Sequence, residues 1–447
     1  MKLSFLVFCL SYLVLMNINS FFFQKSFIDI GGLNIRIPDL IFILMWTMAS
    51  FELFLKKEIK IKKVKLSQYY IFFLIWILIS SFMIAPIYGT PIINGSLSQV
   101  RKLIYYSVFF LVLFIFHKRQ DIKLFMKLFI LFGLITSLRM ITEYFYLSHK
   151  SSYELIRIVR NVTLGNAYSQ IIFFFCLGLI SFVNSKRFKI NLIIISIVCL
   201  FAMLVTFSRG IILTTFISVV IYFFLIGKIS KFLKSFILIN LIILFIYLLI
   251  PSNIKFQLKD RFVKGFGDLQ MAIEVIKGKY DIYSCFLVSE YTDLSLIRKL
   301  IEYKLTFEEF KKSPIWGLGL GYEYEKYWGG EKKFKKSPYV HSVYNYFLMD
   351  TGLVGLFIFL SLILKIGKLF FFLFKSYSDG FYKGVFLGCF LSLIALIINS
   401  FNGSFLLSIP YIIFISTFSA FGVLLKSEKT VKSFYNGPQN LDNRLSC

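Results

Sequence analysis

The sequence predicts an all-α protein: a polytopic transmembrane helical bundle of about 12 spans, with one long extracytoplasmic loop containing short helices. Three observations lead there. Hydrophobic residues make up 58% of the chain and aromatics 19%, with a mean hydropathy of +0.77. A water-soluble domain cannot cover so much apolar surface with polar atoms. The apolar residues fall into twelve runs, near 3–19, 38–55, 68–86, 103–116, 124–146, 164–183, 190–207, 211–226, 235–250, 342–364, 382–399 and 405–425. Basic clusters lie in every second gap between them, as cytoplasmic loops do.

The threading follows from those clusters. Lys56 to Lys65 holds six lysines and one glutamate, which puts this loop in the cytoplasm. Counting outward, His117 to Lys123, Ser185 to Lys189, Gly227 to Lys234, Lys365 to Lys375 and Lys426 to Lys432 fall on the same side, and both termini are cytoplasmic. The formal charge of +27, from 50 Lys and Arg against 23 Asp and Glu, is therefore read as topology and not as nucleic-acid binding. The resulting organisation is helices 1–9 in 1–250, an extracytoplasmic loop at 251–341, helices 10–12 in 342–425 and a cytoplasmic tail at 426–447. Within the loop, Leu294 to Lys312 reads as an amphipathic helix with Ile297, Leu300, Ile301 and Leu305 on one stripe. Ser313-Pro314 ends it, and Gly317, Gly319 and Gly321 form a flexible turn. The cysteines show no C-x-x-C spacing, and no disulfide framework or zinc site is expected.

Candidate site residues are the ionisable groups next to helix ends on the outer side, where a charge is costly. Arg209 sits in Thr206-Phe207-Ser208-Arg209-Gly210, a tight turn between two apolar runs, and cannot serve there as a topology signal. Arg298 lies on the amphipathic helix, at the i,i+4 spacing of an ordinary surface pair with Glu302. His341 enters the next span beside Tyr344 and Asn345, where it can act as a general base near neutral pH. Arg157, Arg160 and Arg101 also stand at outward helix ends, with Arg139 inside the fifth run; any of them can join Arg209 in an anion-binding cavity. Asp29 and Asp39 are isolated, and no P-loop, GxSxG or HExxH occurs. No metal ligand set and no cofactor are predicted. A site rich in Arg and poor in carboxylates suits a diphosphate leaving group, which guanidinium groups bind in bidentate fashion. Trp316, Tyr322, Tyr324, Tyr327 and Trp328 can stack on sugar rings, although an interfacial aromatic belt explains them as well.

Taken together, Thr206-Phe-Ser-Arg-Gly210, Arg298, Phe310-Lys-Lys-Ser-Pro-Ile-Trp-Gly-Leu-Gly-Leu-Gly321 and His341-Ser-Val-Tyr-Asn-Tyr-Phe-Leu-Met-Asp-Thr-Gly352-Leu-Val-Gly355 resemble the O-antigen ligase and polymerase superfamily. The resemblance covers 206–360 and the overall topology. It implies a membrane glycosyltransferase of the bacterial inner (cell) membrane, active on the extracytoplasmic face. Such an enzyme transfers or polymerises a surface glycan from an undecaprenyl-diphosphate-linked donor onto an acceptor hydroxyl, metal-independent and with inversion. Its partners would be that donor, a glycan or lipid acceptor and membrane lipids, with no nucleic acid. Carried across, Arg209 and Arg298 would grip the diphosphate and His341 would orient or deprotonate the acceptor, with Arg157, Arg160, Arg101, Tyr344 and Asn345 binding substrate. Many members carry His-Asn where this chain has His341-Ser342. The competing class is a flippase for the same lipid-linked glycans. Transporters of that kind show paired halves with broken helices at matching positions, and this sequence shows neither.

Overall fold

The computed structural model describes residues 28–30, 33–56, 65–116, 118–147, 164–206, 208–227, 295–328 and 333–435. Ten of the twelve apolar runs have a helix there; the runs at 3–19 and 235–250 lie outside the described residues. A short antiparallel hairpin, β1 (Ile28–Ile30) and β2 (Leu33–Ile35), precedes α1 (Ile37–Lys56) and α2 (Lys65–Ile79). Then come α3 (Ser98–Leu103), α4 (Val108–Ile115), α5 (Arg119–Leu147), α6 (Leu164–Phe182), α7 (Lys186–Val205) and α8 (Arg209–Ile226). The last group is α9 (Ser295–Phe310), the antiparallel hairpin β3 (Tyr324–Trp328) and β4 (Lys333–Ser337), α10 (Val343–Ser376), α11 (Gly380–Asn399) and α12 (Ile409–Tyr435). Among the described residues, seven helical stretches are long and apolar enough to cross a bilayer, and α1, α6 and α8 are shorter apolar helices.

Several expectations are corrected. The chain is not purely helical, since two β-hairpins occur where loops were expected. The basic stretch Lys365 to Lys375 is not a loop: α10 continues through it for 34 residues, about 50 Å at ~1.5 Å per residue, which exceeds the ~30 Å hydrocarbon layer. α12 runs on to Tyr435, past the start of the expected tail at 426; residues 436–447 lie outside those described. The third run does not form one regular helix. After α2 the chain passes through a π-turn at Ser80–Ile84 and a 3-10 turn at Ala85–Tyr88, where Pro86 removes a backbone donor.

The bundle exposes large apolar side chains to a degree that suits lipid, and buries a few polar ones within its apolar core. Phe357 and Phe224 are 73% and 72% exposed, whereas Gln170 is 1% exposed. Close helix packing relies on small residues. A Cβ added to Gly178 of α6 would lie 2.1 Å from the Gly384 carbonyl oxygen of α11, so the two backbones meet with nothing between them. Gln170 of α6 donates to Thr214 (3.0 Å) and Thr215 (2.7 Å) of α8, and Asn399 at the end of α11 donates to Gln170 (3.0 Å). This buried network ties α6, α8 and α11 together just below Arg209. Deeper in, Phe418 of α12 packs on Phe129 and Phe175 at ring distances of 4.9 Å each.

The glycine turn after α9 is rigid, contrary to expectation. Gly317, Gly319 and Gly321 all hold positive φ and are buried against a break in α10, where Gly352 leaves the helical conformation at φ 66, ψ −169. The break frees the Met349 and Asp350 carbonyls, which accept from Leu318 N (2.9 Å) and Gly319 N (2.8 Å). It also frees the Leu353 and Val354 amides, which donate to Pro314 O (2.9 Å) and Ile315 O (3.3 Å). The Asp350 carboxylate accepts from Gly321 N at 3.1 Å.

Two glycine substitutions separate this packing constraint from simple backbone preference. Gly227 caps α8 at φ 69 with nothing within 4 Å of an added Cβ, so Gly227→Ala should cost about 1 kcal/mol and leave folded protein. Gly319→Ala adds to its φ of 90 a Cβ only 2.1 Å from Ala85 Cα, and should abolish monodisperse protein in detergent. Equal melting temperatures for the two variants would contradict this account.

Candidate functional site

The site is built at one end of the bundle. Three chain segments converge there: the start of α8, the end of α11 and the start of α10. Val343 N donates to Ser400 O at 3.0 Å, joining the last two, and a Cβ on Gly210 would lie 3.8 Å from Asn399 Oδ1, joining the first. Arg209 is therefore the first residue of a helix that opens at the same end as His341. Arg298 lies on α9, one turn before Glu302 and on the same face of that helix. The side chains of Arg209 and Arg298, and the whole of Arg157 and Arg160, lie outside the described residues.

The chemistry at this end centres on Glu302, which the sequence reading assigned only as a surface partner for Arg298. Glu302 is instead 3% exposed. Its Oε2 lies 2.7 Å from His341 Nδ1 and 2.6 Å from Lys326 Nζ, and its Oε1 accepts from the His341 backbone N–H. Lys326 also donates to Tyr339 O at 2.8 Å. Burial works against the Glu302 carboxylate, but the His341 hydrogen bond and the charges of His341 and Lys326 outweigh it, and the group is held below the ordinary glutamate value. Burial likewise pulls the Lys326 ammonium below its usual value, against the opposing pull of Glu302. With Nδ1–H donated to the carboxylate, the imidazole presents Nε2 as its basic nitrogen, and the side chain is 38% exposed.

Each part of this cluster has a local cause. Ser342 is the N-cap of α10, and its hydroxyl accepts from Asn345 N at 3.4 Å, which holds His341 at the helix mouth. Serine thus performs a capping role that asparagine could also fill. Asn345 donates to Thr306 Oγ1 (3.2 Å), tying α10 to α9. Tyr344 donates to Ile397 O (2.8 Å), with its ring 4.4 Å from Phe401, and the Tyr303 hydroxyl donates to Phe401 O. Both Tyr344 and Asn345, expected to bind substrate, thus have partners inside the protein.

Arg101 stands on α3 with its Nε 3.0 Å from Asp39 Oδ2. Asp39 is not isolated, since it also accepts from Arg36 N (2.8 Å) and Tyr105 OH (2.9 Å). Burial and the nearby Arg101 charge draw the Arg36 guanidinium below its usual value. Lys102 donates to Gln99 Oε1 (3.1 Å), which also lies 3.5 Å from Tyr346 OH on the first turn of α10. This second basic group consequently flanks the same helix end as His341. Arg139 pairs with Glu143 at 2.6 Å within α5.

Glu302, Lys326, Arg36 and Lys102 were missed from the sequence. A signal existed for two of them. Glu302 and Thr306 sit at helical spacing beside the apolar stripe of α9, and strand alternation puts Lys326 on the same inward face as buried Tyr324.

Residues 192–360 match the family model described as O-Antigen ligase. The match supports the O-antigen ligase and polymerase superfamily, and it contains Arg209, Arg298, Glu302, Lys326, His341 and the Gly352 break. It stops short of Arg36 and Arg101. No curated protein matches the chain significantly. The matched segment lies in a chain that, among the described residues, has seven helical stretches long and apolar enough to cross a bilayer.

Because the folded Glu302 carboxylate is held below its ordinary value of about 4.3, its share of stability is complete above that value. The share disappears as pH falls through the lower folded value. Melting temperature measured from pH ~6 to ~3 should drop more steeply for the native protein than for Glu302→Gln, which cannot ionise. Parallel curves would show that Glu302 is not the group described.

Proposed function

We propose that the chain transfers a glycan from an undecaprenyl-diphosphate-linked donor to an acceptor hydroxyl, at the end of the bundle that holds His341. The buried Glu302–His341 pair carries this reading, because it makes a surface imidazole into an oriented base. His341 Nε2 takes the proton from the acceptor hydroxyl. The resulting oxygen attacks the anomeric carbon of the donor sugar from the side opposite the diphosphate, so the configuration inverts. The bond from that carbon to the diphosphate oxygen breaks, and its electron pair leaves with the diphosphate. Arg209 and Arg298 neutralise the charge that grows on the leaving group, the task a guanidinium performs best.

The donor set favours this chemistry without a metal. The carboxylate at the centre of the site is already shared between His341 and Lys326, and the remaining ionisable groups named here on the proposed donor side are cationic. The site faces away from the cytoplasm, which is supported by the basic clusters at the opposite ends of the helices. Glu302 positions His341, and Lys326, which also donates to the Tyr339 carbonyl, holds Glu302 in turn.

Purified protein, given a lipid-linked oligosaccharide donor and an acceptor glycan, should form the transfer product. His341→Ala should lower kcat by about 10²–10⁴-fold while the protein stays folded, with a lowered melting temperature because Glu302 loses one partner and keeps Lys326. Arg209→Ala should lower turnover comparably, and Arg209→Lys should restore part of it because the charge but not the bidentate geometry returns. Full activity in His341→Ala would remove the proposal.

A further inference from the structure

The opposite end of the bundle carries a cavity of about 360 Å³, lined by Lys123 and Lys127 of α5, Phe182 at the end of α6 and Asn184 after it, Phe188 of α7 and Phe381 of α11. It lies where α5, α7 and α11 begin and α6 ends, some twenty residues along α11 from the Asn399 end that holds His341. Nothing in the transfer chemistry uses it.

Its charge is unbalanced. Lys123 and Lys127 are both exposed and stand one turn apart on one helix face, a like-charge spacing that costs stability unless an anion sits between them. The carboxylate in the wall, Asp379, is already committed: its Oδ1 accepts from Phe381 N at 2.8 Å as the N-cap of α11. Lys383 adds a further cation beside the cavity, with its Nζ 5.0 Å from the Phe182 ring centre, and Lys123 sits 5.1 Å from that of Phe381. The rings thus line the lower wall under a cationic mouth.

The cavity also opens toward an apolar outer surface. Leu124 and Leu131 on α5 are 53% and 47% exposed, and Ile190 and Ile194 on α7 are 57% and 54% exposed. These two helices pack together, so their outward side chains form a continuous apolar strip that leads away from the lysines. A phosphate at the mouth with acyl chains along that strip satisfies both halves of the surface, whereas free phosphate uses only one.

We propose that this cavity binds the phosphate headgroup of an anionic membrane phospholipid, with Lys123 and Lys127 as its counter-charges. The site is independent of glycan transfer and of the proposed catalytic residues.

The test uses the delipidated full-length protein in detergent, with phosphatidylglycerol, phosphatidylcholine or inorganic phosphate added separately. Retained lipid is counted by native mass spectrometry and stability is read as melting temperature. Phosphatidylglycerol should be retained and should raise the melting temperature. The Lys123→Ala/Lys127→Ala double variant should retain it roughly thirtyfold more weakly, each lysine contributing about fivefold. Lys365→Ala/Lys368→Ala, which removes two cations away from the cavity, should behave as the native protein. Equal retention of phosphatidylcholine, or undiminished retention of phosphatidylglycerol by the first double variant, would overturn the proposal. A full stabilising shift with inorganic phosphate alone would overturn the assignment to a lipid.

Discussion

The structure at the site end depends on an exchange of backbone hydrogen bonds between the break in α10 and the turn after α9. A helix broken at Gly352 leaves carbonyls and amides without their usual partners, in a buried position that must satisfy them from the protein itself. The segment Pro314–Gly319 supplies them, pairing Met349, Asp350, Leu353 and Val354 with Leu318, Gly319, Pro314 and Ile315. Only glycine permits the positive φ and the backbone-to-backbone approach this needs, as the 2.5 Å from a Gly317 Cβ to Gly352 N illustrates. The interlock anchors the C-terminal end of α9 on the first turns of α10. Glu302 on the one and His341 at the mouth of the other are brought into register by it.

The consequence for chemistry is that the base is positioned by burial, not by the membrane surface. Glu302 has both oxygens occupied, and Lys326 holds the carboxylate from a strand that approaches from the other side. A solvated imidazole would sample both tautomers and many orientations. Here one nitrogen is committed to the carboxylate and the other is free for a substrate proton. In the proposed reaction the arginines would serve the opposite need, meeting charge that appears only as the leaving group departs. Their placement at helix starts on the same end of the bundle fits that division of labour.

The two ends of the bundle therefore differ in kind. At the His341 end, charges are paired and largely buried: Glu302 with Lys326 and His341, and Asp39 with Arg101. At the other end, Lys123 and Lys127 stand exposed at the edge of a cavity whose carboxylate is spent on capping a helix. Pairing makes a fixed constellation suited to reaction, and unpaired surface cations make an adaptable anchor suited to a lipid.

From the sequence alone came the membrane character, the location of most helices, the amphipathic helix at 295–310 and the grouping of Arg209, Arg298 and His341. Those features rest on local hydropathy and on short patterns, which are summed along the chain and need no knowledge of what packs where. Tertiary structure decided the rest. The glycine turn is rigid because α10 breaks opposite it, which no local signal announces. Glu302 pairs with His341 and Lys326, 39 and 24 residues away, in preference to a surface role, because the fold buries it where only those partners can compensate its charge. Asp39 gains Arg101 in the same way. The span total and the outward loop beyond α8 remain statements of sequence, whereas the site is a property of distant segments meeting at one end of the bundle.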